Sequence, residues 1–166
     1  MGVADKLGIG YEAAKQRNPR IVYSSVNAYG KPGKYAKRPG REVLAQGIVG
    51  MQVRLGSEVP VLNPFNGCDY CTGLMSVYGI LLSLFDRRRT GKEQRVISAL
   101  IYGATLLQTN LLQDYAGKVW DEPHGQDCLG TGPLYRAYNC QDDVWVFMAA
   151  RHVGIGSSGL SDVSLR

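Results

Sequence analysis

The sequence predicts an α/β fold built on a parallel sheet, and three observations support this prediction. Residues 20–26 form a nearly continuous run of β-branched and aromatic residues, which is typical of a buried strand in a parallel sheet. Helical apolar spacing recurs on both sides of this run. The basic, Gly- and Pro-rich loop of residues 27–40 follows the strand directly, and open α/β sheets place ligand sites at such strand ends. With 166 residues, the chain is long enough for a sizeable core.

Before the strand, the first 18 residues predict two short helices. The first has Val3, Leu7 and Ile9 as its apolar set. The second covers residues 11–17 and ends at Asn18, because a residue before proline is disfavoured in the helical region.

After the loop, helical spacing predicts a helix over residues 41–51, followed by a turn-rich segment. Residues 72–85 have so few polar positions that they predict a buried helix, with Gly91 as its C-terminal cap. A second long apolar helix is expected over residues 96–113.

The last third of the chain has a different pattern. Residues 116–133 are polar and rich in Gly and Pro, which indicates a connection to another unit. Two strands are predicted within residues 134–149, at residues 135–138 and 144–148, joined by a turn at residues 141–143. Residues 151–166 form a tail that matches no recognised pattern.

Charge and composition narrow the possible functions. The formal charge of +5 comes partly from two basic clusters that could face phosphate groups or simply be solvated: Lys31, Lys34, Lys37, Arg38 and Arg41, and Arg87, Arg88, Arg89, Lys92 and Arg95. No apolar stretch of the about 18 residues that span a bilayer is evident, and the N-terminus does not resemble a secretory signal. We therefore expect a cytoplasmic protein without membrane or nucleic-acid partners.

The four cysteines are too few and too scattered to predict a disulfide scaffold. Cys68 and Cys71 have the CxxC spacing of thiol redox or half a zinc site. A zinc site would need distant Cys128, His124 or Cys140, so free thiols are the better interpretation and no metal is expected.

Asp69 is the candidate for chemistry. An Asp at the start of a helix is most often an N-cap or a first-turn charge. As a nucleophile it would need access for a bulky acyl donor and groups that stabilise an oxyanion. Gly67 and Gly73 leave room for close approach, and we expect the N–H groups after Thr72 to be available as donors.

An ordered series of segments resembles the class III coenzyme A transferases, the group of formyl-CoA transferase, carnitine CoA-transferase and the methylacyl-CoA racemases (CaiB/BaiF type). The resemblance covers about residues 1–150. Its segments are Gly-Ile-Gly-Tyr-Glu (8–12), Arg-Asn-Pro-Arg-Ile-Val-Tyr-Ser-Ser (17–25), Ala-Tyr-Gly-Lys-Pro-Gly-Lys-Tyr (28–35), Arg-Pro-Gly-Arg-Glu-Val-Leu-Ala-Gln (38–46), Asp-Tyr-Cys-Thr-Gly (69–73) and Arg-Thr-Gly-Lys-Glu-Gln-Arg-Val (89–96).

The resemblance implies an acyl-CoA:carboxylate CoA-transferase in which Asp69 attacks the thioester, giving an aspartyl mixed anhydride and then an aspartyl-CoA thioester. It also implies that Lys6, Leu7 and Arg41 contact coenzyme A or the substrate. Coenzyme A thioester would be a substrate, with no permanently bound cofactor. The partners would be a carboxylic acid acceptor and a second copy of the full-length protein in an interlocked dimer.

Arg41 favours transfer over racemisation. The racemases carry a His at this position, paired with the Asp to move the α-proton, and a guanidinium cannot deprotonate to act as that second base. Racemase-like proton transfer remains the alternative, as does a non-catalytic chain that only associates with a full-length relative.

The resemblance also implies a domain organisation. Residues 1–115 correspond to the C-terminal half of a Rossmann-like large domain, residues 116–133 to a connection, and residues 134–150 to the start of a small α+β domain. Because family members are much longer, we expect the chain to be a fragment whose activity alone is uncertain.

Overall fold

The computed structural model describes residues 2–56, 58–109, 112–119 and 123–150. The chain divides into two units, residues 1–122 and 123–166. Helices and parallel strands form the first unit, and antiparallel strands form the second. The predicted α/β class is therefore confirmed, and the domain boundaries proposed from sequence stay predictions.

The N-terminal elements follow the sequence closely. Helix α1 (Val3–Lys6) and helix α2 (Tyr11–Arg17) precede strand β1 (Val22–Asn27), and Asn18 ends α2 with an extended backbone, as the following proline predicts. Most of β1 is only partly buried, so the expected burial of this strand is met in part.

Strand β2 (Gln94–Ala99) pairs with β1 in parallel, from Val22 opposite Gln94 to Asn27 opposite Ala99. Helix α6 (Leu100–Leu107) follows it without a break. The prediction of one helix over residues 96–113 is therefore wrong at its start. The apolar run continues across both elements, and only the pairing with β1, which spacing along the chain does not reveal, separates strand from helix.

Two short helices connect β1 to the site region. Helix α3 (Glu42–Ile48) and helix α4 (Met51–Leu55) replace the single helix predicted over residues 41–51. The break falls at Gly50, whose φ of 75° lies in the left-handed region, which glycine adopts without the steric cost of a side chain.

Helix α5 (Gly67–Thr90) is the longest element and starts five residues before its predicted position. It ends at Gly91, whose φ of 69° confirms the predicted left-handed cap. Arg87, Arg88 and Arg89 lie in its last turn, where positive charge complements the helix dipole.

The face that α5 buries is polar, and its apolar face is exposed. Its buried residues are Cys68, Thr72, Ser76 and Ser83. The hydroxyl groups of Ser76 and Ser24 on β1 are 2.7 Å apart, and Thr72 Oγ1 donates to the Ala99 carbonyl at 3.3 Å. The expectation of a buried apolar helix is therefore wrong, since the exposed set is Leu74, Met75, Val77, Tyr78, Leu81, Leu82 and Phe85.

By length and composition alone, α5 could also cross a membrane, so the expectation that no stretch is long enough does not hold for this helix. Its row of small polar side chains packs on β1 and β2, as in a helix that covers a sheet. The absence of a membrane partner stays a prediction.

The core of the first unit lies where α3, α5 and α6 meet, at Ala45, Cys68, Leu100 and Ala104. Small residues permit the close approach of the helices. A Cβ on Gly103 would lie 2.6 Å from Thr72 Oγ1 and 3.1 Å from the Cys68 carbonyl oxygen. The absence of a side chain at Gly103 therefore lets the first turns of α5 lie close to α6.

The second unit is a three-stranded antiparallel sheet in the order β3 (Gly130–Gly132), β4 (Tyr135–Asn139), β5 (Trp145–Ala149). A 3-10 turn at Gly125–Asp127 precedes it. The two predicted strands and their turn are confirmed. The unassigned tail at residues 151–166 lies outside the described residues.

Candidate functional site

Asp69 is the third residue of α5 and lines an open cavity of about 490 Å³. This volume falls in the range of small-molecule sites. The wall combines charged, amide and apolar groups from three parts of the chain: Gly40, Arg41, Glu42, Val43, Leu62, Asn63, Pro64, Asn66, Asp69 and Leu100.

The first turn of α5 is held by a carboxylate from another helix. Glu42, the first residue of α3, accepts hydrogen bonds from the backbone N–H of Cys68 at 3.1 Å and of Asp69 at 2.7 Å. Asn66 occupies the N-cap position and makes no side-chain capping bond. Glu42 therefore satisfies donors that a helix start leaves unpaired.

Glu42 is itself held by Gln46, one turn later on α3. Gln46 Nε2 donates to Glu42 Oε1 at 2.9 Å and to the Asn63 carbonyl at 3.1 Å, and Gln46 Oε1 accepts from the Asn63 N–H at 3.1 Å. Glu42 is 8% exposed and Gln46 is fully buried. The segment before α5 and the start of α5 are thus tied to one face of α3.

The two carboxyl groups have pKa values shifted in opposite directions. Burial by itself would raise the pKa of Glu42, but hydrogen bonds from the Cys68 thiol, Gln46 and the backbone N–H groups of Cys68 and Asp69 lower it below its ordinary value. Partial loss of hydration, followed by the negative charge of Glu42, raises the pKa of Asp69. The surroundings therefore favour the charged form of Glu42 and disfavour the charged form of Asp69.

Cys68 is a packing residue. Burial, and then the hydrogen bond to Glu42, raise the pKa of its thiol to about 12, so the neutral thiol persists at physiological pH. Cys71, Cys128 and Cys140 are also free thiols. Among the described residues, no group of three or more His, Cys, Asp or Glu side chains could hold a metal ion.

The expected oxyanion donors after Thr72 are wrong for this structure. Because α5 begins at Gly67, the N–H groups that follow Thr72 lie inside the helix and bond to its own carbonyls. The N–H groups of Cys68 and Asp69 are taken by Glu42. Donors for an oxyanion must come from other groups.

Arg41 lies on the wall of the Asp69 cavity, directly before α3. Its side chain has no ion-pair partner within the described ranges. The structure therefore brings two of the four predicted site residues, Asp69 and Arg41, to the wall of one cavity.

Leu7 lines a different cavity of about 570 Å³ that runs along β1, and Lys6 is not part of either wall. The larger cavity also contains Lys31 and Arg38 from the basic loop, as expected for a loop after a strand of an α/β sheet. Gly40 lines both cavities. The contacts assigned to Lys6, Leu7 and Arg41 stay predictions.

Sequence reasoning missed Glu42 and Gln46. Their spacing of four residues places them on one face of a helix, which is a detectable but common pattern. The partner that gives the pair its role is 27 residues from Glu42. Spacing along the chain contains no signal for that contact.

Comparisons with known proteins agree with the resemblance found in the sequence. The family described as "CoA-transferase family III" matches residues 1–155. The chain is 29% identical over 155 residues to human alpha-methylacyl-CoA racemase, covering 90% of the chain and 40% of the relative. It is 35% identical over 135 residues to formyl-CoA:oxalate CoA-transferase of Streptomyces coelicolor, covering 80% of the chain and 30% of the relative.

A solved structure gives the same result. The crystal structure of a CAIB/BAIF family protein from Brucella suis superposes with a TM-score of 0.73 at 31% identity, over 90% of this chain and 40% of that one. The chain therefore spans about 40% of the length of this structure and 30% to 40% of the two relatives described above.

Proposed function

The chain belongs to CoA-transferase family III, and on this premise we propose that it acts in acyl-CoA:carboxylate CoA transfer with Asp69 as the covalent nucleophile. The observation that supports this most is the placement of Asp69 on the wall of an open cavity that Arg41 also lines, on a helix start fixed by Glu42. A carboxylate nucleophile needs this combination of access and fixed position.

The proposed reaction has four steps. An Asp69 carboxylate oxygen attacks the thioester carbonyl and the C–S bond breaks. CoA departs as its thiolate, and a mixed anhydride forms on Asp69. The thiolate attacks the aspartyl carbonyl and releases the donor acid. The acceptor carboxylate then attacks the aspartyl-CoA thioester and expels the thiolate, which finally attacks the acceptor's acyl carbon and restores Asp69.

Arg41 would supply positive charge close to the reacting carboxylates. A guanidinium can pair with the acceptor carboxylate or a phosphate of coenzyme A. It cannot supply the second base that racemisation needs. Lys6 and Leu7 would contact coenzyme A in this proposal, and no permanently bound cofactor takes part.

The test uses the full chain with formyl-, acetyl- and succinyl-CoA as donors and oxalate or malate as acceptors, with new thioesters measured by chromatography. We expect acceptor-dependent transfer that falls at least about a thousandfold in Asp69→Asn. Asp127→Asn, at an exposed carboxyl of the second unit, is the control and should retain activity. Transfer that persists in Asp69→Asn would refute the nucleophile.

Racemase-like proton transfer is the alternative, favoured by the 29% identity to human alpha-methylacyl-CoA racemase. Exchange of the α-proton of a 2-methylacyl-CoA in deuterated water, without any acceptor acid, would support it over transfer.

Association is a further part of the proposal. The exposed apolar face of α5 supports contact with a second copy or a full-length relative. Failure to bind coenzyme A together with retained oligomerisation would favour a chain that only associates.

We also propose that β1 and β2 are part of a Rossmann-like large domain and that residues 134–150 begin a small domain. The four free thiols support the cytoplasm as the compartment.

A further inference from the structure

At the start of α5, the Glu42 carboxylate makes the hydrogen bonds that a first-turn carboxylate such as Asp69 would normally make. A first-turn Asp normally interacts with the unpaired N–H groups of its own helix. Here two of those N–H groups, from Cys68 and Asp69, are bonded to Glu42 of α3. The Asp69 side chain makes no hydrogen bond or ion pair with any residue that the structure describes.

Gln46 fixes the position of the Glu42 carboxylate. Its Oε1 accepts from Gln46 Nε2, and Gln46 is bound through both ends of its amide to the backbone of Asn63. Since Glu42 and Gln46 are both buried, water does not compete freely for these bonds. Glu42 therefore holds the helix start in one orientation relative to the cavity wall.

The charges around Asp69 agree with this geometry. Glu42 is the neighbouring anion, the Cys68 thiol is neutral, and Arg41 is the cation on the same wall. Partial loss of hydration, and then the charge of the neighbouring Glu42 anion, disfavour the charged form of Asp69 and raise its pKa. A more basic carboxylate is a stronger nucleophile once ionised.

We propose that Glu42 is a positioning residue for Asp69: by taking the N–H donors at the start of α5, it leaves the Asp69 carboxylate unbonded at the cavity wall. The effect of Glu42 on catalysis rests on the proposed function. The bonding of the N–H groups at the start of α5 to Glu42 instead of Asp69 does not, because it is a property of the folded chain.

The test compares Glu42→Gln, which removes the charge and keeps an oxygen acceptor, with Glu93→Gln, which removes a carboxylate paired with Lys15 at 2.5 Å. The Asp69 carboxyl is titrated by carbon-13 NMR in the full chain, with no ligand needed. We expect Glu42→Gln to lower the pKa of Asp69 and Glu93→Gln to leave it unchanged. An unchanged Asp69 pKa in a folded Glu42→Gln variant would overturn the proposal, since loss of a purely structural cap lowers only stability.

If Glu42→Gln does not fold, the unmodified chain gives the answer. The protection factor of the Asp69 amide, which is its intrinsic exchange rate divided by its observed rate, should be high at neutral pH and should fall when acid protonates Glu42. Exchange at the rate of an unprotected amide would overturn the proposal.

Catalysis provides a separate readout. We expect kcat for CoA transfer to fall about tenfold or more in Glu42→Gln with little change in KM, since Asp69 becomes misplaced and less basic. If wild type transfers no acyl group, the proposed function fails while the NMR result still decides the role of Glu42. Unchanged kcat in the variant would overturn the catalytic part.

Discussion

The two faces of α5 are the reverse of those of an ordinary surface helix. Its inner face consists of Cys68, Thr72, Ser76 and Ser83, and its outer face carries leucines and aromatic residues such as Leu74 and Phe85, 72% and 75% exposed. The inner face includes hydrogen bonds to β1 and β2, whereas the outer face contacts little in the described chain. Apolarity alone therefore does not tell which side of a helix meets the protein's own core.

The largest loss of stability is expected at Glu42 of α3, whose carboxylate binds the N–H groups at the start of α5. Glu42→Ala leaves the N–H groups of Cys68 and Asp69 and the amide of Gln46 without their acceptor. We expect the free energy of unfolding to fall by about 2 to 4 kcal/mol, measured by urea denaturation. Glu93→Ala is the control, and equal losses in the two variants would contradict the role of Glu42 in holding α5.

Alanine substitutions at two glycines compare a packed position with an open one: Gly103 of α6 lies against α5, and Gly73 of α5 faces open space. Gly103→Ala places a Cβ against Thr72 Oγ1, so we expect a loss of about 1 to 3 kcal/mol. Gly73→Ala meets nothing within 4 Å and should stabilise the chain by about 0.5 to 1 kcal/mol through helix propensity. Thermal unfolding of both variants checks this, and shifts of the same sign would contradict the packing described for α5 and α6.

The opposite pKa shifts at the helix start predict opposite effects of pH. The lowered pKa of Glu42 gives stability that is present above its unfolded value, near 4.5, and is lost as the pH falls through the folded value. The raised pKa of Asp69 makes its charge destabilising at neutral pH. Asp69→Asn should therefore unfold at a higher temperature than wild type at pH 7, with a smaller difference at pH 4. Lower stability of the variant at pH 7 would contradict the assigned repulsion.

The smallest effect on stability is expected on the outer face. Leu81 is 59% exposed, so Leu81→Lys should change the free energy of unfolding by less than about 0.5 kcal/mol. It should nevertheless reduce self-association in sedimentation velocity, because it places charge in the apolar face. A variant that associates as strongly as wild type would remove this face from the proposed contact.

The sequence predicts those elements whose signals are local. Asn18-Pro19 marks the end of α2, Gly91 marks the end of α5, and alternating residues around a polar turn mark β4 and β5. Strand β2 escapes prediction because its apolar residues run directly into α6. What distinguishes it is pairing with β1, about 70 residues earlier in the chain.

The residues of the candidate site also differ in whether the sequence predicts them. Asp69 and Arg41 could be selected from the sequence, because the resemblance to a known family assigns them roles. Glu42 could not, because its role depends on a contact between α3 and α5. The apolar pattern of α5 predicts burial, but a hydrophobic pattern does not identify the partner that would bury it.

In the proposed reaction Asp69, on a helix start held by Glu42, accepts the acyl group. The most direct measurement is mass spectrometry of the full chain after incubation with an acyl-CoA and an acid quench, with and without hydroxylamine. We expect a hydroxylamine-sensitive adduct on Asp69 that is absent from Asp69→Asn and accumulates more slowly in Glu42→Gln. An adduct on another residue such as Cys71, or turnover without any adduct on Asp69, would contradict it.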